Sequence, residues 1–382
     1  MWYFNLSLLF GLLLCSCREA TQPTRLKTTA TRLEQNVYQA QNFSIQKQGI
    51  YTILTIKRAW AHAPQVMEYV LYPKSDKAPS DLFPKASCIP VPVEKILCTG
   101  TAQVALLDFL EQTDKIVAST SCQYVYHKPI QEGLRTGKIK DLGKNGAIDY
   151  EGVVMVAPEL ILAFRGANNT EDYEGFKALG IPVVYISEYM ENTALGRTEW
   201  ARFLAPLFGE AVERDAEKRY LAIEKEYKEL RKQMETVGNR PKVFTGIDYE
   251  GTWHVAGGQS FIAKWIEDAG GDYIWKENRD IASVGLDMEA VYDKILDADI
   301  WLNVLSVHHK ADLTKKNPRY NELKAFRRNQ IFSYTKRISS TGAYDFFESA
   351  IIQPQVVLKD LIKIFHPNQL PNHEFYYYQQ LN

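Results

Sequence analysis

Aromatic, cationic and amide side chains in segments predicted to be loops are the residues best suited to chemistry in this chain. Aromatic faces can stack on a planar or apolar ligand, and arginine can pair with carboxylates. The candidates in the first half of the chain are Gln123, Tyr124, Tyr126, His127 and Arg165. The candidates in the second half are Tyr249, Trp253, His254, His308, Arg337 and Tyr344. Residues of these types favour the binding of a large ligand.

The sequence carries no familiar enzyme motif. It contains no G-x-S-x-G, no Walker loop and no H-E-x-x-H. Residues 257–260, Gly-Gly-Gln-Ser, are typical of a tight turn before a helix. The pair His308-His309 lacks carboxylates at metal-ligand spacing, so we predict that it lies on the surface or at a pocket rim. We therefore predict no catalytic residue, no metal site and no cofactor.

Composition narrows the class of partner. The 382 residues include 45 basic and 46 acidic side chains mixed along the chain, with a formal charge of −1. Because no basic field is present, no nucleic-acid partner is expected. The length and a hydrophobic content of 46% predict one large or two medium domains. Cys88, Cys98 and Cys122 match no zinc pattern; we predict that Cys98 is buried at a strand end and leave the other two open.

The N-terminus has the features of an export signal. Residues 2–14 are apolar and too short for a comfortable transmembrane span. The following Leu14-Cys15-Ser16-Cys17 resembles a bacterial lipoprotein cleavage box, in which Cys17 becomes the first mature residue and carries the lipid. An ordinary secretory signal is the alternative. We predict a signal peptide at 1–16 and a polar tether at 17–38.

Strands that alternate with helices predict a parallel sheet in each half of the chain. Two antiparallel strands, at 51–56 and 66–71, come first. First-lobe strands are predicted at 93–98, 115–118, 160–164 and 183–186, and second-lobe strands at 242–245, 300–304 and 331–334. Ligands of such sheets lie at the carboxyl ends of the strands. A final helix at 349–365 and a tail with three tyrosines, which packs back on the fold, complete the prediction.

One long helix separates the two halves. Apolar residues recur at steps of three and four and define one helical face: Val212, Ala216, Tyr220, Ile223, Tyr227, Leu230, Met234 and Val237. At 1.5 Å per residue the run 211–237 spans roughly 40 Å. We predict a rigid strut between two lobes; the alternative is a crossover helix inside one large domain.

A faint duplication supports two related lobes. Residues 149–153 and 158–162 correspond to residues 287–291 and 298–302, and each pair of blocks delivers a helix into a buried strand. The predicted organisation is an N-terminal lobe at 39–196, linking helices at 197–238 and a C-terminal lobe at 239–382. The fold class is α/β, with two pseudo-symmetric parallel-sheet lobes joined by one long helix.

These features together resemble a known family. Residues 156–162, Val-Ala-Pro-Glu-Leu-Ile-Leu, are similar to the "-L-x-P-D-L-V-I-" strand entry of the substrate-binding proteins of iron-chelate and cobalamin ABC importers. Residues 265–272, Trp-Ile-Glu-Asp-Ala-Gly-Gly-Asp, are similar to the family's "-L-x-x-A-G-G-x-N-" turn. The resemblance covers roughly residues 93–366 and implies the class III periplasmic binding protein fold, with a largely preformed cleft.

The resemblance also implies a ligand and partners. The ligand would be a siderophore, haem or cobalamin, and a Tyr or His could ligate haem iron. An acidic residue on each lobe, Glu171 (or Glu174) and Glu289, would pair with arginines of a membrane permease that works with ATPase subunits. The protein would be a monomer in the periplasm, held through Cys17 to a membrane that the sequence does not specify.

Two other classes remain open at this point. Zinc and manganese importers also use a two-lobe binding protein with a long helix, but need three or four converging His, Asp or Glu ligands. An exported lipoprotein hydrolase, for which Ser260 is the candidate nucleophile, is the second alternative.

Overall fold

The chain begins with a small sheet that precedes the first lobe. A computed structural model describes residues 39–61, 63, 65–144, 147–166, 173–304 and 307–382. The signal peptide, the tether and Cys17 are predictions that lie outside these residues. The strands of the small sheet are β1 Phe43–Gln48, β2 Tyr51–Ile56, β3 Met67–Pro73 and β4 Ser87–Val91. The predicted antiparallel pair is confirmed as β2 and β3, flanked by the unpredicted antiparallel β1 and parallel β4.

The first lobe is built on a parallel sheet with the order β11-β10-β5-β6-β7. Leu97, Ala118 and Leu162 are completely buried in its three central strands, as the continuous apolar pattern predicts. Its elements are β5 Ile96–Cys98, α1 Thr101–Phe109, β6 Ile116–Ser119, α2 Lys128–Arg135, β7 Lys140–Asp141, β8 Gly143–Lys144, β9 Ala147–Ile148, α3 Tyr150–Val156, β10 Leu160–Ala163, α4 Glu174–Ala178 and β11 Val183–Tyr185.

The linking region consists of two short helices and one long one. They are α5 Ala194–Thr198, α6 Trp200–Leu204 and α7 Glu210–Met234. All eight residues of the predicted apolar face pack against apolar cores. Ala216 and Tyr220 belong to the first-lobe core, Leu230 and Met234 belong to the second-lobe core, and Ile223 packs against both. The strut is therefore confirmed, because one helix of 25 residues contributes to two separate cores.

The second lobe repeats the plan of the first. Its main sheet has the order β15-β12-β17-β18-β19, and only β19 is antiparallel. A separate antiparallel sheet, β13-β14-β16, was not expected from the sequence. The elements are β12 Lys242–Thr245, β13 Ile247–Tyr249, β14 Thr252–Ala256, α8 Phe261–Asp268, β15 Asp272–Tyr273, β16 Ser283–Asp287, α9 Met288–Ile295, β17 Ile300–Leu302, α10 Lys310–Lys316, α11 Lys324–Arg327, β18 Ile331–Ser333, α12 Pro354–Phe365 and β19 Gln379–Gln380.

The two main sheets share one topology. The first four parallel strands follow the order β11-β10-β5-β6 in one lobe, and the corresponding strands follow the order β18-β17-β12-β15 in the other. The duplicated blocks occupy matching places, since α3 leads into β10 and α9 leads into β17. The Asp149 and Asp287 side chains each cap the helix that follows by accepting backbone N–H bonds. The predicted pseudo-symmetry of the lobes is thus present in the strand order and in the helix caps.

The C-terminal tail returns to the second lobe, as predicted. The final helix begins at Pro354 rather than at 349, because a 3-10 turn occupies Ser349–Ile351. Asp360 on this helix is completely buried, and its carboxylate accepts the backbone N–H groups of Tyr376, Tyr377 and Tyr378 at 2.7–3.1 Å. A buried carboxylate is retained at low cost only when such donors surround it. Asp360 therefore fixes the course of the tail.

Candidate ligand-binding cleft

Loops at the carboxyl ends of the strands bring the two lobes into contact. The Thr101 hydroxyl, after β5, donates a hydrogen bond to the Phe347 carbonyl at 3.3 Å. The Tyr126 N–H, after β6, donates to the Glu348 carboxylate at 2.8 Å. Phe347 and Glu348 belong to the segment after β18. The first-lobe loops predicted to bind ligand therefore face the second lobe, as the parallel sheets require.

Arg337 lies at the centre of a cluster that contains residues of both lobes. Its guanidinium carbon is 5.4 Å from the ring centroid of Tyr126 and 4.2 Å from that of Tyr376. Its Nε donates to the buried Asp345 carboxylate at 2.5 Å. About one third of the side chain remains exposed. The structure thus joins two predicted residues, Tyr126 and Arg337, and leaves a cationic, aromatic surface between the lobes.

Two titratable groups adjoin this cluster. Burial raises the pKa of the Glu348 carboxyl to about 7, although N–H donors from Tyr126 and His127 oppose the shift. The hydrogen bond between His127 Nε2 and Asp108, at 3.2 Å, raises the pKa of His127, and burial opposes it. Near neutral pH the Glu348 carboxyl is therefore close to its titration point, and Asp108 favours the protonated form of His127.

Exposed aromatic faces extend the surface. The ring of Tyr344 lies 6.1 Å from that of Phe347, and Phe347 and Tyr124 are 52% and 63% exposed. Exposed rings that adjoin one another can form an apolar patch that marks a ligand-binding site. Gln123 is exposed in the 3-10 turn Cys122–Tyr124. These residues suit an apolar or planar ligand.

Arg165 occupies the other side of the first-lobe face. Its guanidinium carbon is 4.1 Å from the ring centroid of Trp60, and its carbonyl accepts the Tyr189 hydroxyl at 2.5 Å. Within the described ranges no carboxylate forms an ion pair with Arg165. The guanidinium is half-buried over the Trp60 ring, a position that suits a contact with a ligand carboxylate.

Four predicted binding residues lie apart from this cluster. The prediction that Trp253 contacts a ligand is wrong, because Trp253 is completely buried in the second-lobe core and its indole N–H donates to the Thr245 carbonyl at 3.0 Å. Strand alternation on β14 turns Trp253 inward and His254 outward. Tyr249 is exposed on the same hairpin, and His308 is exposed before α10.

The structure offers little support for metal binding or for a serine nucleophile. Across the described parts of the chain no group of three His, Cys, Asp or Glu could hold a metal ion. The Ser260 hydroxyl is buried, donates to the Gly257 carbonyl at 2.6 Å and accepts the Ala263 N–H as the cap of α8. Residues 257–260 form the predicted tight turn, in which a Cβ on Gly258 would meet carbonyl oxygens at 2.4 Å. Cys98 is buried at a strand end, as predicted.

The predicted docking carboxylates differ in what the structure describes. Glu171 lies outside the described residues, and Glu174 begins α4 with a side chain that is not described. Glu289 begins α9, is 71% exposed and forms a two-point ion pair with Arg319 at 2.6 and 3.1 Å. This hydrogen bonding lowers the pKa of Glu289, so the carboxylate is charged on the surface.

Sequence reasoning missed three residues of the site. Trp60 supports Arg165, Tyr376 supports Arg337, and Glu348 connects the lobes. Each one lies far along the chain from its partner or outside the predicted loops. An aromatic residue in the loop that follows a predicted strand was the only signal that could have indicated Trp60.

Comparison with known proteins gives consistent results. A family model described as "Periplasmic binding protein" matches residues 96–338. An uncharacterized lipoprotein of Methanocaldococcus jannaschii is 25% identical over 328 residues, covering 82% of this chain and 76% of the relative. A second uncharacterized lipoprotein of that organism is 26% identical, covering 78% of this chain and 76% of the relative.

Solved structures show the same fold. A periplasmic binding protein from Veillonella parvula aligns with a TM-score of 0.58 and 12% identity, covering 85% of this chain and 98% of that one. The vitamin B12 binding protein BtuF of Vibrio cholerae aligns with a TM-score of 0.54 and 14% identity, covering 73% of this chain and 99% of that one. The haem-binding protein RhuT from Roseiflexus aligns with a TM-score of 0.54 and 19% identity, covering 72% of this chain and 98% of that one. The predicted fold class is thereby confirmed.

Proposed function

Because this chain belongs to the periplasmic binding protein family, we propose that it captures an iron chelate or cobalamin between its lobes and delivers it to an ABC permease. The family and its structural relatives are binding proteins, so the chain is a binding protein rather than an enzyme. The class III architecture is the one in which a single long helix joins the lobes.

One observation carries the proposal. Helix α7 is built into both cores, so the lobes are held at a nearly fixed separation and the loops between them form a preformed slot. A ligand entering such a slot loses little affinity to reorganisation of the protein. The Thr198 hydroxyl on α5 donates to the Ile351 carbonyl at 2.6 Å, which also ties the segment after β18 to the linking helices.

The chemistry of the slot supports a chelate as ligand. The cationic side chains of Arg165 and Arg337 each lie over an aromatic ring, and Tyr124 and Phe347 present exposed rings. Planar or greasy ligands with acidic edges suit this surface. The structural relatives include proteins whose names state that they bind vitamin B12 or haem.

Anchoring and docking complete the proposed role. The relatives from Methanocaldococcus jannaschii are called lipoproteins, which supports an exported protein held to a membrane through Cys17. None of the described helices is both long and apolar enough to span a bilayer. Glu289, with Glu171 or Glu174 on the other lobe, would pair with arginines of the permease, which orients docking more than it tightens it.

The test is a visible-absorption and thermal-shift titration of the purified protein. Haem, a ferric siderophore and cyanocobalamin are added separately, with buffer alone as the control. We expect one of them to bind and to stabilise the fold by about 2.7 kcal/mol at a hundredfold excess over Kd. Failure of all three to bind would refute the proposed ligand class.

A further inference from the structure

The small sheet β1–β4 lies outside the matched family region, which begins at residue 96. The segment 57–60 follows β2 and reaches the cleft side of the first lobe. Two hydrogen bonds fix its backbone: Asn42 Nδ2 donates to the Arg58 carbonyl and the Ser187 hydroxyl donates to the Ala59 carbonyl, both at 2.6 Å. Ala59 is buried, so the segment is built into the fold.

Trp60 of this segment forms the platform under Arg165. Its ring lies 4.1 Å from the guanidinium carbon of Arg165 and 5.2 Å from the ring centroid of Tyr185 on β11. The Arg165 backbone is held in turn by the Tyr189 hydroxyl. A planar guanidinium that is stacked and fixed at its backbone loses little entropy when it binds an anion.

A cavity of 310 Å³ adjoins the same segment. Lys57 and Arg58 line it from the small sheet, Met190 and Asn192 line it from the segment after β11, and Ile281 lines it from the second lobe. The cavity therefore spans the two lobes. Its position after β11 and β15 is the pseudo-symmetric counterpart of the Tyr126–Arg337 contact after β6 and β18, because β11 corresponds to β18 and β6 to β15.

Two cations, Lys57 and Arg58, and one carboxylate, Glu191, line the cavity. Arg58 is exposed and, like Arg165, has no carboxylate partner within the described residues. Arg58 lies two residues before Trp60, whose ring stacks on Arg165, so both cations belong to the surface formed by the segment 57–60 and the loop after β10. The Glu191 carboxylate accepts hydrogen bonds from the N–H groups of Gln41, Asn42 and Trp200 at 2.8–3.1 Å.

We infer that the small sheet completes the ligand site: Trp60 positions Arg165, and Arg58 and Arg165 together receive an anionic group, so the ligand is a carboxylate-bearing chelate. The inference rests on the proposed function and narrows its ligand class. Uncharged ligands such as cobalamin and trihydroxamate chelates have no group for this pair of cations. The 310 Å³ cavity fits one acidic arm rather than an entire chelate.

The experiment compares acidic with neutral ligands, of which haem and its dimethyl ester differ only at their carboxylates, and it compares variants that differ only in this site. Haem and haem dimethyl ester, then ferric citrate and ferrichrome, are titrated into the full chain. The variants are Arg58→Gln, Arg165→Gln and Trp60→Leu, and the control is Arg214→Gln, an exposed arginine of α7. Circular dichroism and Tm establish that each variant is folded. If Trp60→Leu does not fold, the test is made with Arg58→Gln, which changes an exposed side chain.

We expect the wild type and the Arg214→Gln control to prefer the acidic member of a pair by about ten- to a hundredfold, as charge-assisted hydrogen bonds require. Arg58→Gln and Arg165→Gln should lose that preference, and Trp60→Leu should reduce it. Equal binding of the neutral member, or unchanged preference in the arginine variants, would overturn the inference while leaving the importer function intact. If the wild type binds neither these ligands nor cyanocobalamin, the proposed function fails as well.

Discussion

Replacement of Glu348 by Gln tests whether the interface between the lobes contains a carboxyl that burial keeps protonated. The carboxyl is 3% exposed and burial raises its pKa from an ordinary 4.5 to about 7. Gln has nearly the same shape, and its amide oxygen can still accept the Tyr126 N–H. The variant therefore removes the ionisation and leaves the contact between the lobes in place.

The magnitude follows from proton linkage. Between pH 4.5 and about 7 the unfolded chain has lost the Glu348 proton while the folded protein retains it, so wild-type stability falls as pH rises. The stabilising contribution is complete below pH 4.5 and lost above about 7. The difference between these pKa values corresponds to roughly 3 kcal/mol. Glu348→Gln should gain that amount relative to the wild type across this range.

The assay is denaturant unfolding of the wild type and of Glu348→Gln at several pH values from about 4.5 to 8. The Glu132→Gln variant, an exposed surface substitution, is the control for general effects of charge. Taking the difference between variants cancels other groups, including Glu199, whose pKa burial also raises to about 7. A difference in unfolding free energy that stays constant with pH would refute the claim that burial holds Glu348 protonated.

Three further predictions follow from the same structure. Leu230→Ala on α7 should lower the unfolding free energy by roughly 2–5 kcal/mol, because it opens a cavity in the second core. The exposed Leu221→Ala control should change the unfolding free energy by no more than about 0.5 kcal/mol, and equal effects of the two substitutions would contradict the packing of α7. Asp360→Ala should expose the tail to limited proteolysis and lower the unfolding free energy by several kcal/mol, because three backbone N–H donors lose their acceptor. A tail that stays protected from the protease would contradict the role of Asp360 in fixing it. The Glu171→Ala/Glu289→Ala double variant should bind ligand normally and fail in reconstituted uptake, so that full uptake would reject both as docking residues.

Predictions were most accurate where the pattern is local. The apolar face of α7 is a repeat of three and four residues, so the helix and its buried side could be derived before any tertiary contact was known. The longer parallel strands were found for the same reason, since their interiors are continuous apolar runs, whereas the two-residue strands β7 and β15 were missed. Short edge strands such as β1 and β4 were missed, because their residues are of mixed polarity.

Binding residues were predicted less well, because side-chain direction depends on the fold. Trp253 had the residue type of a ligand contact, but β13 and β14 form a hairpin that turns it into the core. Tyr126 and Arg337 were both chosen from the sequence, although nothing local indicated that they would meet. Trp60 and Tyr376 were overlooked, because each supports an arginine brought to it by the folding of the chain.

The sequence by itself determined the strut, the two α/β halves and their duplication, because hydrophobic periodicity and helix capping act over a few neighbouring residues. Only the tertiary structure decided which loops face each other, which carboxyl is buried between the lobes and which guanidinium groups stay unpaired within the described residues. Those properties depend on contacts between residues more than a hundred positions apart, such as Tyr126 with Glu348 and Trp60 with Arg165. Burial and electrostatic pairing at such distances are set by the packing of the whole chain.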